Sequence, residues 1–534
     1  MDELRRMRLV AYIFAILAVL GGALPVQAES RADLPTRPGR TDLYVVRSDH
    51  WSEADEQGWR DFIAAIGSSD CATLDACLKR PANPFRGSDR PDFVFQSDCA
   101  DLPYVLRFYY AWKRGLPFSF ASDLSALGPT RDIRYSAGGN AVAARYDVPS
   151  GTMSGYAIIQ KMRDATSSAS YRLHPASEDG DFYPAAIDPS SIRPGTVVYD
   201  PAGHVGLVYK VDDKGRIHFF DAHTDYSLTE TVYDLRFARD RPAIGAGFKN
   251  WRPVRLIGAT GRADGVLVGG HIALAANKDI ADYSLEQFTG NGRRPADADW
   301  KSGTFTLNGE VLDYYDYVRA RMAGGKLVFE PVAEVRDMAR STCADLHYRA
   351  DAVELALAAG IQNRAEPARL PDNIYGTEGD WETYSTPSRD ARLKTAFKYL
   401  RDQVQRFVEM QRRNDPHLSY RGDDLVGDML KAYDRETRFC RVAGLTYEEA
   451  RQRLFAMSFD PYHCRERRWG GECASEDPAK RAWYDAEQGL RNQLERTYAA
   501  RMDFTLDELK ARPVTAAPDT DVRAYLLSQS TNAP

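Results

Sequence analysis

None of the seven cysteines is spaced as a CxxC pair, so the usual ligand pattern of a small zinc site is missing. Basic excess is missing too. With 70 Lys and Arg against 76 Asp and Glu, the net charge of -6 at pH 7 leaves no footprint for nucleic acid or an anionic membrane surface. No internal repeat is visible. Beyond residue 28 no stretch is long and apolar enough to cross a bilayer. The C-terminal half carries no metal or phosphate motif; its histidines are scattered, its Leu and aromatic positions suit a packed core and its charges suit solvated faces. Neither a cofactor nor a metal is expected.

The chain does have an N-terminal export signal. Arg5, Arg6 and Arg8 precede an apolar run from Leu9 to about Leu24, and Val26 and Ala28 are the small residues before a cleavage point. Gly21, Gly22 and Pro25 shorten the run, which favours processing over anchoring. The expected mature protein starts near Glu29 and is periplasmic or secreted, with no transmembrane segment after cleavage. At 534 residues it exceeds a single core and should hold two or more domains.

In an oxidising compartment an odd number of cysteines leaves one without a mate. Cys71 with Cys77, and Cys464 with Cys473, are close enough for short local loops. Cys343 with Cys440 is then a plausible third pair, and Cys99 the free thiol. Spacing alone does not fix this connectivity.

Residues 29–41 read as a flexible lead-in and Leu43 to Val46 as a short strand. Ser52 opens a helix with Trp59, Phe62, Ile63 and Ile66 on one face. Leu102, Leu106, Tyr109 and Tyr110 repeat at helical spacing just after Cys99, and Gly115 with Pro117 supplies the stop. Residues 118–190 are rich in Gly, Ser and Pro and read as a loop-rich insertion. Strand patterning returns at 196–199, 204–211 and 216–223, the last two joined by a turn at 212–215. The resulting expectation is an α+β domain over 42–261, a mixed connecting region over 262–341, an α-helical domain over 342–512 and a disordered tail over 513–534. Leu393, Phe397, Leu400, Val404, Phe407 and Val408 mark one long amphipathic helix, and Thr446 with Glu449 and Thr505 with Glu508 have the capping-box form.

A cysteine at a helix N-terminus meets unpaired N–H groups and the positive end of the helix dipole, which favour a nucleophilic thiolate. Acyl chemistry also needs an imidazole and a polar group to orient it. His204 begins a strand after the turn DPAG, and Asp221 lies on the neighbouring strand. Strand parity puts residues 217, 219, 221 and 223 on one face and His218 on the other. His223 is thus the alternative orienter. The Cys99 N–H is a candidate oxyanion donor, and Gln96 a weaker second. Taken singly, each residue also suits a bland role: a buried thiol, a satisfied histidine or a strand-ending carboxylate.

The run SDCADLPYVL resembles the helix start of NlpC-type cell-wall cysteine peptidases, and IRPGTVVYDPAGHVGLVYKV is similar to their Gly-His-Val-Gly strand. The resemblance spans about residues 90–225. It implies a papain-like fold, a helix against an antiparallel sheet, with Cys99 as nucleophile, His204 as base and Asp221 in the third position. It also implies cleavage of an amide bond in peptidoglycan stem peptides. Transglutaminase-like proteins share the order Cys, His, Asp, so acyl transfer is an alternative, as is a non-catalytic envelope scaffold. The helical C-terminal region is then where an envelope protein partner would bind.

Overall fold

The computed structural model describes residues 42–292, 299–377, 379–384 and 387–530. The expected export signal over 1–28 and the lead-in to 41 lie outside the described residues. The protein has a mixed α+β architecture with antiparallel sheets. Leu43 and Val46 make only isolated bridges, to Ser154 and Leu267, in place of the expected strand.

Helix α1, Glu53–Gly67, begins at a reciprocal cap: the Asp55 N–H donates to Ser52 Oγ at 3.2 Å and the Ser52 N–H to Asp55 Oδ2 at 3.1 Å. Both groups would otherwise be open donors of the first turn. Trp59, Phe62, Ile63 and Ile66 are buried, as their spacing predicts. Helix α2, Asp101–Arg114, is buried on almost every side. Gly115, left-handed at φ 69°, ends it, and the Leu116 N–H turns back to the Ala111 carbonyl at 2.9 Å. Arg107, inside this core, donates to both oxygens of Glu56 and lies 3.4 Å over the Trp51 ring.

The stretch 118–190 is more regular than a loop-rich insertion. Strands β1, Ser119–Ala126, and β2, Asn140–Asp147, form a hairpin, and helix α3, Gly155–Ala165, packs on α2. Buried Asp181 ties this layer down by accepting from Tyr104 Oη, the Ala121 N–H and Arg145.

Behind α1 and α2 stands a six-stranded antiparallel sheet. Its strands are β3 (Phe182–Pro184), β4 (Val197–Asp200), β5 (His204–Val211), β6 (Ile217–Ala222), β7 (Leu228–Val232) and β8 (Gly247–Trp251), in the order β3-β8-β4-β5-β6-β7. Val197, Tyr199, Val205, Leu207 and Phe220 join the core of α1 and α2. On the opposite face Val198, Val208, Ile217, Phe219 and Phe248 meet helix α4, Tyr314–Met322, through Tyr314, Tyr317, Val318 and Met322. Cover on both faces explains why β4 is buried at every position and reads as a continuous apolar run.

Helix α5, Pro331–Ala358, starts inside the region expected to be a connector ending at 341. Helices α6, Pro387–Arg412, and α7, Leu425–Thr437, pack with it through Val335, Ala339, Leu346, Phe397, Leu400, Val404, Met429 and Tyr433. The expected disordered tail is also corrected. Helix α8, Val522–Ser530, buries Val522 and Leu526 in the same core. Cys71–Cys77, Cys343–Cys440 and Cys464–Cys473 are disulfides and Cys99 is a free thiol. No helix among the described residues is long and apolar enough to cross a membrane.

Candidate active site

Cys99 is placed by the residue before it. Asp98 Oδ1 accepts from the Ala100 and Asp101 N–H groups at 2.8 and 3.0 Å, and the Leu102 N–H reaches the Asp98 carbonyl at 3.1 Å. Asp98 therefore caps the turn that leads into α2, and Cys99 sits in that turn with its own N–H outside the intrahelical ladder. The thiol points to the carbonyl of Gly203 at 4.0 Å, directly before His204. Gly203 has φ 86°, and a Cβ there would come within 3.0 Å of the Tyr135 ring. Gly206 is also constrained, because a Cβ would meet Phe219 at 2.3 Å. The glycines flanking His204 and Val205 thus let two rings close over the strand.

On β5 and β6 the register pairs Leu207 with Phe220, which brings the start of one strand beside the end of the other. His204 Nε2–H donates to Asp221 Oδ2 at 2.6 Å. A carboxylate accepts only, so Nε2 carries the proton of this bond and Nδ1 is the ring nitrogen it leaves uncommitted. Asp221 is buried, and Thr229 Oγ1 donates to its other oxygen at 3.0 Å. Burial works to raise the Asp221 carboxyl, but the His204 imidazole that donates to it, helped by the Arg392 guanidinium, outweighs it and holds the group below its ordinary range.

His223 stands one step back. Its Nε2–H donates to Thr229 Oγ1 at 2.9 Å, and it lies 3.5 Å from Asp221 Oδ2. Its ring stacks 5.8 Å from His204 on one side and 4.3 Å from Tyr348 on the other. Burial presses its pKa down, so the ring is neutral at pH 7. His218 points away and pairs with Asp212 at 3.2 Å. Gln96 is not on the pocket wall.

The thiol differs from the expectation of a stabilised thiolate. Burial pushes the Cys99 thiol up, the Asp98 and Asp221 carboxylates push the same way, and the Val205 N–H and Arg392 offset only part. One helix terminus does not outweigh desolvation together with two nearby anions. The resting sulfur is therefore protonated.

Cys99, His204 and His223 open on one cavity of about 200 Å³. Its far wall comes from the second half of the chain: Tyr348 of α5, Tyr375, Glu382, and Ser388, Arg389 and Arg392 of α6. The halves are clamped beside it by Arg134 to Glu382 at 2.9 Å, and by the Tyr135 ring stacked between Tyr498 at 4.0 Å and Tyr375 at 5.1 Å. Sequence reasoning missed this wall. Arg389 and Arg392 fit the pattern of a solvated helix face, and no short-range signal ties them to a cysteine nearly three hundred residues earlier. Asp98 was discoverable as an N-cap residue placed directly before the cysteine.

No family model, curated protein or solved structure matches this chain.

Proposed function

We propose that the protein is an exported papain-like cysteine hydrolase that cleaves an amide bond, with peptidoglycan stem peptides as its substrate. The observation that carries this reading is the 2.6 Å His204–Asp221 hydrogen bond at the wall of a cavity holding an unbridged thiol. The substrate class rests on the sequence likeness around Cys99 and His204.

In the reaction, His204 Nδ1 takes the thiol proton as Cys99 Sγ attacks the carbonyl carbon. The Cys99 N–H, left open in the turn that leads into α2, stabilises the oxyanion. The imidazolium is held by Asp221 and returns its proton to the departing amine, leaving an acyl-thioester on Cys99. Water attacks that ester while His204 accepts its proton. The carboxylic acid leaves and the thiol regains its proton.

The test is digestion of purified peptidoglycan followed by mass spectrometry. Wild type should release fragments with new amine and carboxyl ends, and Cys99→Ala should release none while keeping its circular dichroism. Equal release by the two proteins would reject the assignment. Incorporation of an added primary amine in preference to hydrolysis would move the protein to the acyl transferases.

A further inference from the structure

Arg392 is the unusual cation of the cavity. Its neighbour Arg134 is held by Asp132 and Glu382, at 2.7 and 2.9 Å. Arg389 lies 5.3 Å from the Tyr348 ring. Arg392 forms no ion pair with any described residue, and its Nε is buried without an acceptor. The hydroxyl of Tyr348, on the same wall, is likewise buried without a partner. The two carboxylates lining the cavity are already engaged: Asp98 by the helix N–H groups and Glu382 by Arg134. Asp221 is taken by His204 and Thr229.

A buried donor without an acceptor is destabilising, and more so when it is charged. Both side chains line one cavity, and each carries a donor with no acceptor among the described residues, which is the chemistry of a site for an acceptor group. A guanidinium and a phenol together suit a carboxylate, which accepts on both oxygens and neutralises the charge.

We infer that Arg392 and Tyr348 form a recognition subsite for a carboxylate of the substrate, so that the protein selects amide bonds lying close to a free carboxylate. The subsite takes its meaning from the hydrolase reading, and it brings the second half of the chain into specificity: α5 and α6 supply the recognising groups, while α2 and the sheet supply the reacting ones. A terminal carboxylate and an acidic side chain present the same chemistry.

The experiment measures binding on the Cys99→Ala protein by ligand-observed NMR, so it does not depend on turnover. The probes are two matched pairs: N-acetyl-Ala-Ala with a free or an amidated C-terminus, and amidated N-acetyl-Ala-Glu against amidated N-acetyl-Ala-Gln. At least one acid should bind about tenfold more tightly than its amide. The pair that discriminates identifies which carboxylate is read. Adding Arg392→Gln should abolish the preference, Arg392→Lys should restore part of it, and Tyr348→Phe should weaken it. Equal binding within both pairs, or a preference that survives Arg392→Gln, overturns the subsite. A failure of the hydrolase assignment would instead show as unchanged peptidoglycan digestion by Cys99→Ala.

Discussion

Replacing Asp221 by Asn preserves the size of the side chain and removes its charge. The amide also has an N–H that can donate to the imidazole, so His204 can turn to the tautomer with its proton on the thiol side. That tautomer cannot take the proton from Cys99, whose thiol burial keeps protonated. On the hydrolase reading, Asp221→Asn should lower kcat by at least about a hundredfold with little change in KM. A KM effect alone would make Asp221 a binding or structural residue. The odd cysteine count exposes Cys99, and strand parity narrows the histidines; neither gives a contact. The 2.6 Å bond depends on β5 pairing with β6, and the Thr229 hydroxyl that fixes the second Asp221 oxygen depends on β6 pairing with β7, where Asp221 faces Thr229.

At the scale of elements, legibility follows burial. Helix α1 and strands β4 to β6 bury continuous or regularly spaced apolar residues, so period and punctuation reveal them. The β1–β2 hairpin hides among Gly and Ser because much of it is only partly buried and apolar alternation is weak. Helix α8 hides for another reason: nine residues are too few for a period to stand out. Its stability comes from docking, since a helix this short is marginal alone. Leu526 is fully buried in the core shared by α6 and α7. Leu526→Ala should therefore cost about 2–4 kcal/mol in urea unfolding followed by tryptophan fluorescence. A cost within about 0.5 kcal/mol, the range of surface changes, would mean that Leu526 adds little to the shared core and that α8 is only loosely docked.

At the scale of the whole molecule, the second half carries an unusual charge load beneath its surface. Asp460 and Glu487 are fully buried, and the Glu366 side chain is 6% exposed. Both Glu487 oxygens, one of Asp460 and one of Glu366 accept from no N–H or hydroxyl donor among the described residues. Arg491 stands 3.7 Å from Glu487, Lys480 is spent on the Gln362 and Tyr462 carbonyls, and His463 lies 3.6 Å from Glu366. Burial raises the pKa of Glu487 and Glu366, and the Asp460 carboxylate adds to both. The folded protein consequently holds protons that the unfolded chain releases. Their contribution to stability is present below the unfolded glutamate value and is lost as pH rises toward the folded one. Burial lowers the pKa of His463, so that ring works in the opposite sense: its contribution is lost as pH falls below the ordinary histidine value. A single variant separates the two. Glu487→Gln keeps the shape and removes the ionisation, so its melting temperature should exceed that of wild type at pH 8 and converge with it at pH 5. The gain at pH 8 should be several degrees, about 2–4 °C for each kcal/mol recovered in a region of this size. Calorimetry showing the same difference at both pH values would mean that Glu487 is already ionised in the fold, with Arg491 compensating its charge in full.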